Sequence, residues 1–158
     1  MKKFLVIFTA VLLCFAVGCR KTEVIRQDID DNSSIVVTTT SESLKIDEST
    51  TLEDYITALK DAGKLTFEGN KGDFGLFITS MDGKANEVIS STANSSEGYS
   101  WTVYIDFLTL DGVIYASDSE VCVYKETLLY KANYGVSAIP CLENHTYAFV
   151  YEHYNFTW

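Results

Sequence analysis

The sequence predicts an α+β fold, a small domain made mostly of antiparallel β-sheet with one packed helix. Short runs rich in β-branched and aromatic residues, which fit a pleated surface, recur through residues 34–158 and are separated by Gly and Asp turns. Only one segment of that range has apolar residues at helical spacing. A chain of this length buries enough surface for an independent core, so we expect residues 34–158 to form one domain.

The predicted strands occupy residues 35–40, 74–79, 101–106, 121–124 and 147–151. Asp-Gly dipeptides at 82–83 and 111–112 predict hairpin turns, because these residues tolerate the backbone conformation of tight turns. In the run at 101–106 the side chains alternate, which places Trp101, Val103 and Ile105 on one face. The aromatic tail, 154–158, is interpreted as an edge strand that covers the sheet.

The predicted helix begins near residue 51. Thr50 and Glu53 have the spacing of a capping box, in which a hydroxyl and a carboxylate satisfy backbone donors reciprocally. Gly63 is a typical C-terminal stop. One apolar stripe along the helix consists of Leu52, Tyr55, Ile56 and Leu59. A hairpin, a single helix packed across it and further strands together describe a β-grasp-like order.

The first nineteen residues have a different character. Lys2 and Lys3 precede an apolar run at 4–17, and small residues follow, as in a secretory signal peptide. The run is too short to span a bilayer core of about 30 Å. Ala16-Val17-Gly18-Cys19 resembles the lipobox of bacterial lipoproteins, although that motif usually has leucine in place of Ala16. We therefore expect residues 1–18 to be cleaved and Cys19 to be acylated; the alternative is a secreted protein cut nearby.

Acylation of Cys19 would place the protein on a bacterial cell membrane, facing outside the cytoplasm, because two acyl chains suffice for stable anchoring in membrane lipid. Residues 19–33 are polar and lack an apolar period, so they are predicted to form a flexible tether. The net charge of −10 and the absence of a basic stripe make nucleic acid a poor partner.

Four strings of the sequence resemble one bacterial family. They occupy residues 74–83, 99–105, 134–136 and 142–151, and together they are similar to an extracytoplasmic lipoprotein family of unknown function related to the C-terminal β-domain of transcobalamin and intrinsic factor. The resemblance implies a β-grasp module that binds a ligand or contacts a protein. It departs from the family where the strand at 101–106 lacks an Asn-Gly turn and where residues 108–133 look like an insertion. The resemblance does not extend to the large helical barrel that completes cobalamin carriers, so it implies a binding module and not a complete carrier.

The excess of tyrosine suggests where a ligand would bind. Tyr99, Trp101 and Tyr104 are the ligand-binding candidates, since an exposed tyrosine-rich face suits flat ring systems, sugars or protein partners. A cobalamin-like small molecule is the first expectation, and a surface adhesion or assembly module that contacts protein or glycan is the alternative. The alternative without a binding role is that the tyrosines are half-buried residues on one face of the β-sheet.

Cys122 and Cys141 are the cysteines outside the N-terminal segment. Outside the cytoplasm such a pair suggests a disulfide, and two buried thiols are the alternative. With His145 they are also possible zinc ligands, but no fourth ligand and no Cys-x-x-Cys pair is visible, so no metal is expected. The sequence has no nucleophile elbow and no phosphate loop, and its carboxylates form no acid–base pair. We therefore expect a non-catalytic protein with no cofactor.

Overall fold

The computed structural model describes residues 33–42 and 44–158, together with the backbone of 25–28. The predicted signal peptide and Cys19 lie outside the described residues. Within these residues the elements are β1 (Ile25–Asp28), β2 (Ser34–Thr38), α1 (Leu52–Asp61), β3 (Phe67–Gly72), β4 (Gly75–Met81), β5 (Lys84–Ala85), β6 (Glu87–Ser91), β7 (Ser95–Ile105), β8 (Thr109–Leu110), β9 (Val113–Ile114), β10 (Ala116–Tyr124), β11 (Thr127–Ala132) and β12 (Thr146–Thr157).

The main sheet has the strand order β1-β10-β11-β7-β12-β2. The long strands β7 and β12 pair antiparallel from Ile105↔Tyr147 to Ser95↔Thr157. The other edge of β7 is shared, because β6 pairs with its first half and β11 with its last residues. A second sheet has the order β3-β4-β5, and β8 pairs with β9 as a separate hairpin. This mostly antiparallel sheet with one short helix confirms the predicted α+β class.

Strand β1 was not expected. The polar composition of residues 19–33 predicts a tether, but Ile25–Asp28 pairs in parallel with β10, in register with Glu120 to Val123. The backbone of the described part of this segment therefore belongs to the sheet. Hydrogen bonding between main chains does not need an apolar side-chain period, which explains why the composition did not indicate a strand.

Both ends of α1 follow from local chemistry. The capping box is displaced by one residue from the prediction: Thr51 is the N-cap, its Oγ1 accepts from Asp54 N at 3.2 Å, and Asp54 Oδ2 accepts from Thr51 N at 2.9 Å. Glu53 is thereby free to bond elsewhere. At the other end Gly63 has a φ of 69°, a conformation that suits glycine, and the helix stops there as predicted.

The main sheet is apolar on both faces. On one face α1 packs its buried stripe against residues of β7 and β12 that include Ile105, Tyr147 and Phe149. The opposite face forms a second cluster, Tyr104, Cys122, Leu129, Ala148 and Val150. Because neighbouring residues of a strand point to opposite faces, adjacent residues of β7 and β12 contribute to different clusters.

The predicted hairpin turns are present. Asp82 and Gly83 have φ values of 45° and 81°, and Asp111 and Gly112 have 49° and 81°. Two consecutive residues with positive φ form the turn that matches the twist of antiparallel strands. The described residues include no helix long and apolar enough to cross a membrane.

Candidate functional site

The outer ends of β7 and β12 extend beyond the part of the sheet that α1 covers. We call these segments, residues 95–101 and 151–157, together with β6, the outer ribbon. Their side chains are mostly partly or fully exposed, whereas Tyr147 to Val150 of the same strand are buried. The predicted strand at 147–151 therefore continues through the aromatic tail, and a single pair of strands serves both the core and an exposed surface.

One face of the outer ribbon presents a row of rings, which we call the aromatic ladder: Tyr99, Trp101, Tyr151 and His153. The centroids of Tyr99 and Tyr151 lie 5.6 Å apart with their planes 11° from parallel. Trp101 lies 5.3 Å from Tyr151, and His153 lies edge-on to Tyr99 at 5.2 Å. The register explains this row, since Trp101 is paired with Tyr151 and Tyr99 with His153.

The hairpin β4–β5 fixes two of these rings from the side. Trp101 Nε1 donates to the Lys84 carbonyl at 2.8 Å, and Tyr151 Oη donates to the Ala85 carbonyl at 2.9 Å. Both polar groups are satisfied by backbone, so the rings are held in place before any ligand arrives. Tyr99 is the most exposed of the predicted ligand residues, with 36% of its surface accessible.

The ladder is flanked by acidic groups. Glu97 Oε1 lies 2.9 Å from His153 Nε2. Partial burial, and then the carboxylate of Glu87, raise the pKa of Tyr151. The ammonium of Lys84 lies 3.9 Å from the centroid of the Tyr151 ring, a cation–π contact. The ladder thus already holds one organic cation of the protein itself.

Tyr104 does not belong to this surface. It lies on the opposite face of the sheet with 5% of its surface exposed, and its Oη donates to Glu152 Oε2 at 2.9 Å. Lys131 Nζ contacts Glu152 Oε1 at 3.1 Å and completes the network. Burial, then the nearby Glu152, raises the pKa of Tyr104 far above its ordinary value. The structure brings Tyr99 and Trp101 together and assigns Tyr104 to the second core cluster.

One groove lies beside the ladder, and a larger one lies elsewhere on the domain. A groove of about 200 Å³ runs beside Trp101 and is lined by Phe77, Val103 and Tyr134 among others. A second, of about 410 Å³, lies at the base of the β8–β9 hairpin, within the predicted insertion. Pockets that enclose a small molecule usually measure about 300–1,000 Å³ and bury most of it. The groove beside the ladder is smaller than this, so a ligand on the ladder would lie on a surface.

The predicted disulfide is wrong. Cys122 and Cys141 are both free and buried, and they belong to the two different core clusters. The two clusters lie on opposite faces of the main sheet, so the two thiols are not neighbours in one cluster. Burial raises the pKa of Cys122 to about 12 and that of Cys141 to about 11, so both are weakly reactive thiols.

His145 makes a structural contact with Asp106. Its Nδ1 lies 2.7 Å from Asp106 Oδ1, and Asp106 Oδ2 accepts from Thr146 N at 2.8 Å. The pair therefore ties the end of β7 to the start of β12. Within the part of the chain that the structure describes, no three His, Cys, Asp or Glu residues are grouped to hold a metal ion, and the two cysteines named with His145 as possible zinc ligands lie in separate clusters.

Sequence reasoning missed Tyr151, His153 and Lys84 as members of the site. The alternation at 101–106 already separates Trp101 from Tyr104, so this part of the error was avoidable. Tyr151 and His153 required the register of β7 against β12, which depends on contacts across about fifty residues. Comparison with protein-family models, with curated proteins and with solved structures finds no match to this chain.

Proposed function

We propose that this chain is a non-catalytic binding protein, anchored at Cys19 to a bacterial cell membrane and facing outside the cytoplasm, whose ligand lies on the aromatic ladder. The observation that supports this most is a row of rings held rigid on an exposed strand pair. Rings that are positioned before binding lose little conformational freedom when a ligand arrives, which favours affinity.

The ladder suits a flat or extended ligand better than a compact one. Its rings lie along one face of two paired strands, and the groove beside Trp101 is too small to enclose such a molecule. A cobalamin-like ring system would lie across Tyr99 and Tyr151. That the domain is related to transcobalamin-like domains is part of this proposal.

A β-grasp order within the domain is part of this proposal. Support comes from one helix, α1, that follows a strand, packs across one face of a mixed sheet and precedes a hairpin. The core of such a domain would hold the ladder at its edge, away from the helix. The predicted insertion would then correspond to the β8–β9 hairpin and the strands that flank it.

A second function, an adhesion or assembly module that contacts protein or glycan, is favoured by apolar side chains exposed on the outer ribbon and just after it. Val88 and Ile89 on β6 and Phe156 and Trp158 at the chain's end are all more than half exposed. A contiguous patch of large apolar side chains is typical of protein contacts, and this second function requires these four to contribute to one. Retention of a protein from cell envelopes, lost in Phe156→Ser and kept in Tyr99→Ser, would support this second function.

Thermal unfolding with increasing cobalamin or cobinamide tests the first function. Binding to the native state raises the midpoint with the logarithm of ligand concentration, and Tyr99→Ser should abolish that rise. Phe74→Ser, which changes an exposed aromatic side chain outside the ladder and the groove beside it, is the control and should retain it. A flat response in the wild type would remove corrinoids as ligands.

Anchoring is tested separately. Growth with labelled palmitate should label the wild type and not Cys19→Ser, and the variant should leave the membrane fraction. Labelling that persists in Cys19→Ser would contradict the proposed anchor.

A further inference from the structure

We propose that the aromatic ladder recognises an organic cation, an ammonium or guanidinium group, in the position that the Lys84 side chain occupies. This inference rests on the proposed binding function and names the ligand class of the same site. In the ligand-free protein Lys84 acts as an internal occupant that the ligand displaces.

The geometry of Lys84 supports displacement. Its Nζ lies 3.9 Å from the Tyr151 centroid, closer than the two other cation–π contacts of the described residues, at 4.5 and 5.1 Å. Lys84 is exposed, and no carboxylate of the described residues pairs with it. Its ammonium can therefore rotate into water at little cost, since an exposed cation–π contact is weak.

A comparison with Lys60 shows the difference between a fixed and a displaceable cation. Lys60 Nζ lies 4.5 Å from the Phe67 ring and also donates to the Phe67 carbonyl at 2.8 Å. That hydrogen bond holds the ammonium on its ring. The Lys84 ammonium is held by the ring alone, while the Lys84 backbone stays fixed by Trp101.

Charge around the ladder also favours a cation. In residues 84–101 and 151–158, Lys84 is the only lysine or arginine, whereas Glu87 and Glu97 flank the rings. The chain as a whole has a net charge of −10. Such a field concentrates cations near the surface and repels anions. Removing Lys84 from the ring leaves an electron-rich face beside carboxylates, which is the chemistry that binds quaternary ammonium and guanidinium groups.

The test is a titration followed by NMR of backbone amides and of the Trp101 indole N–H. The probes are choline, its uncharged isostere 3,3-dimethylbutan-1-ol, and the peptide Gly-Arg-Gly-amide. We expect saturable shifts at Tyr99, Trp101 and Lys84 with choline or the peptide, and none with the isostere. Binding of choline alone would identify a small-molecule cation, and stronger binding of the peptide would identify a basic protein segment.

Variants separate the ring from its hydroxyl. Tyr151→Phe and Tyr151→Leu both remove the hydrogen bond to the Ala85 carbonyl, but only Tyr151→Leu removes the aromatic face. Cation binding should therefore persist in Tyr151→Phe and be lost in Tyr151→Leu. Lys84→Met should tighten binding about two- to fivefold, because the internal competitor is gone. Lys125→Met removes the exposed cation over Tyr124 and should change nothing.

Equal binding of choline and its isostere, or no binding of either cation, would overturn the inference. Loss of affinity in Lys84→Met would also contradict it, because Lys84 would then belong to the binding machinery. A ligand that depends on Tyr99 but ignores cations would leave the proposed function standing and remove only this inference. Absence of any Tyr99-dependent ligand would remove the proposed function itself.

Discussion

The inner and outer parts of the β7–β12 pair have the same backbone pairing and opposite surroundings. In the inner part Ile105, Tyr147 and Phe149 are completely buried between the sheet and α1. In the outer part Tyr99 and Phe156 are exposed. The backbone pairing is continuous between the two parts. The inner part therefore stabilises the fold, and the outer part is held in place by the same pairing while its side chains stay available for recognition.

The inner part should show the largest change in stability. Phe149→Ala removes a fully buried ring and leaves a cavity, which costs about 3–5 kcal/mol of unfolding free energy. Phe156→Ala makes the same change on the same strand, but at a side chain that is 60% exposed, and should stay within about 0.5 kcal/mol. Urea unfolding of both variants measures the difference. Similar losses in the two would show that the outer ribbon is part of the core.

Thiol reactivity should distinguish the two core clusters from the outer ribbon. With pKa values of about 12 and 11, Cys122 and Cys141 have little thiolate at pH 8, so native alkylation should be roughly a hundredfold slower than that of an ordinary cysteine, or slower still. Thr157→Cys places a reference thiol on the outer ribbon. Mass spectrometry of iodoacetamide-treated peptides measures all three. If Cys122 and Cys141 both stayed unalkylated in denaturant without reductant, the disulfide prediction would be correct after all.

Tyrosine hydroxyls offer a finer comparison between the parts. Tyr104→Phe removes the donor to Glu152 on the buried face, and a hydrogen bond to a charged group is worth about 1.5–3 kcal/mol. Tyr99→Phe on the outer ribbon should cost less than about 0.5 kcal/mol. Absorbance near 295 nm adds a second readout: burial raises the pKa of Tyr104, so its ionisation should coincide with alkaline unfolding. Ionisation of Tyr104 in the native state would contradict its burial.

Much of the fold was predictable where the information is local. The turns at Asp82-Gly83 and Asp111-Gly112 need only residues that tolerate positive φ, and the apolar stripe of α1 needs only its own spacing. The strands β3 and β6 were not predicted because their side chains are largely polar or exposed and their backbone hydrogen bonds come from partners elsewhere in the chain. The pattern of residues within a strand does not show which other strand it pairs with.

The candidate site was only half predictable for the same reason. Alternation separates Tyr104 from Trp101 and could be read from the sequence. The partners of Trp101, which are Tyr151 across the strand pair and the backbone of β5, depend on register and on the packing of a second sheet. The assignment of Cys122 and Cys141 to different core clusters likewise depends on the folded sheet and not on local sequence.

Acid stability gives the smallest and most specific comparison. Glu53, in the first turn of α1, accepts a hydrogen bond from Ser137 Oγ and lies 2.9 Å from Lys71 Nζ. These contacts, the hydroxyl first, hold the pKa of Glu53 below its usual 4.5. A carboxyl whose folded pKa is lowered stabilises the fold above 4.5, and that stability is lost as pH falls through the folded value.

Glu53→Gln should therefore lower the unfolding free energy by about 1 kcal/mol at pH 7, and the difference from the wild type should vanish as the pH falls well below 4.5. Glu97→Gln, which breaks an exposed pair with His153 on the outer ribbon, should stay within about 0.5 kcal/mol throughout. Urea unfolding at several pH values from 3 to 7 compares the two. A pH-independent loss in Glu53→Gln would mean that the side chain's packing matters and its charge does not. An equal loss in Glu97→Gln would mean that the outer ribbon stabilises the fold as the helix-covered part does.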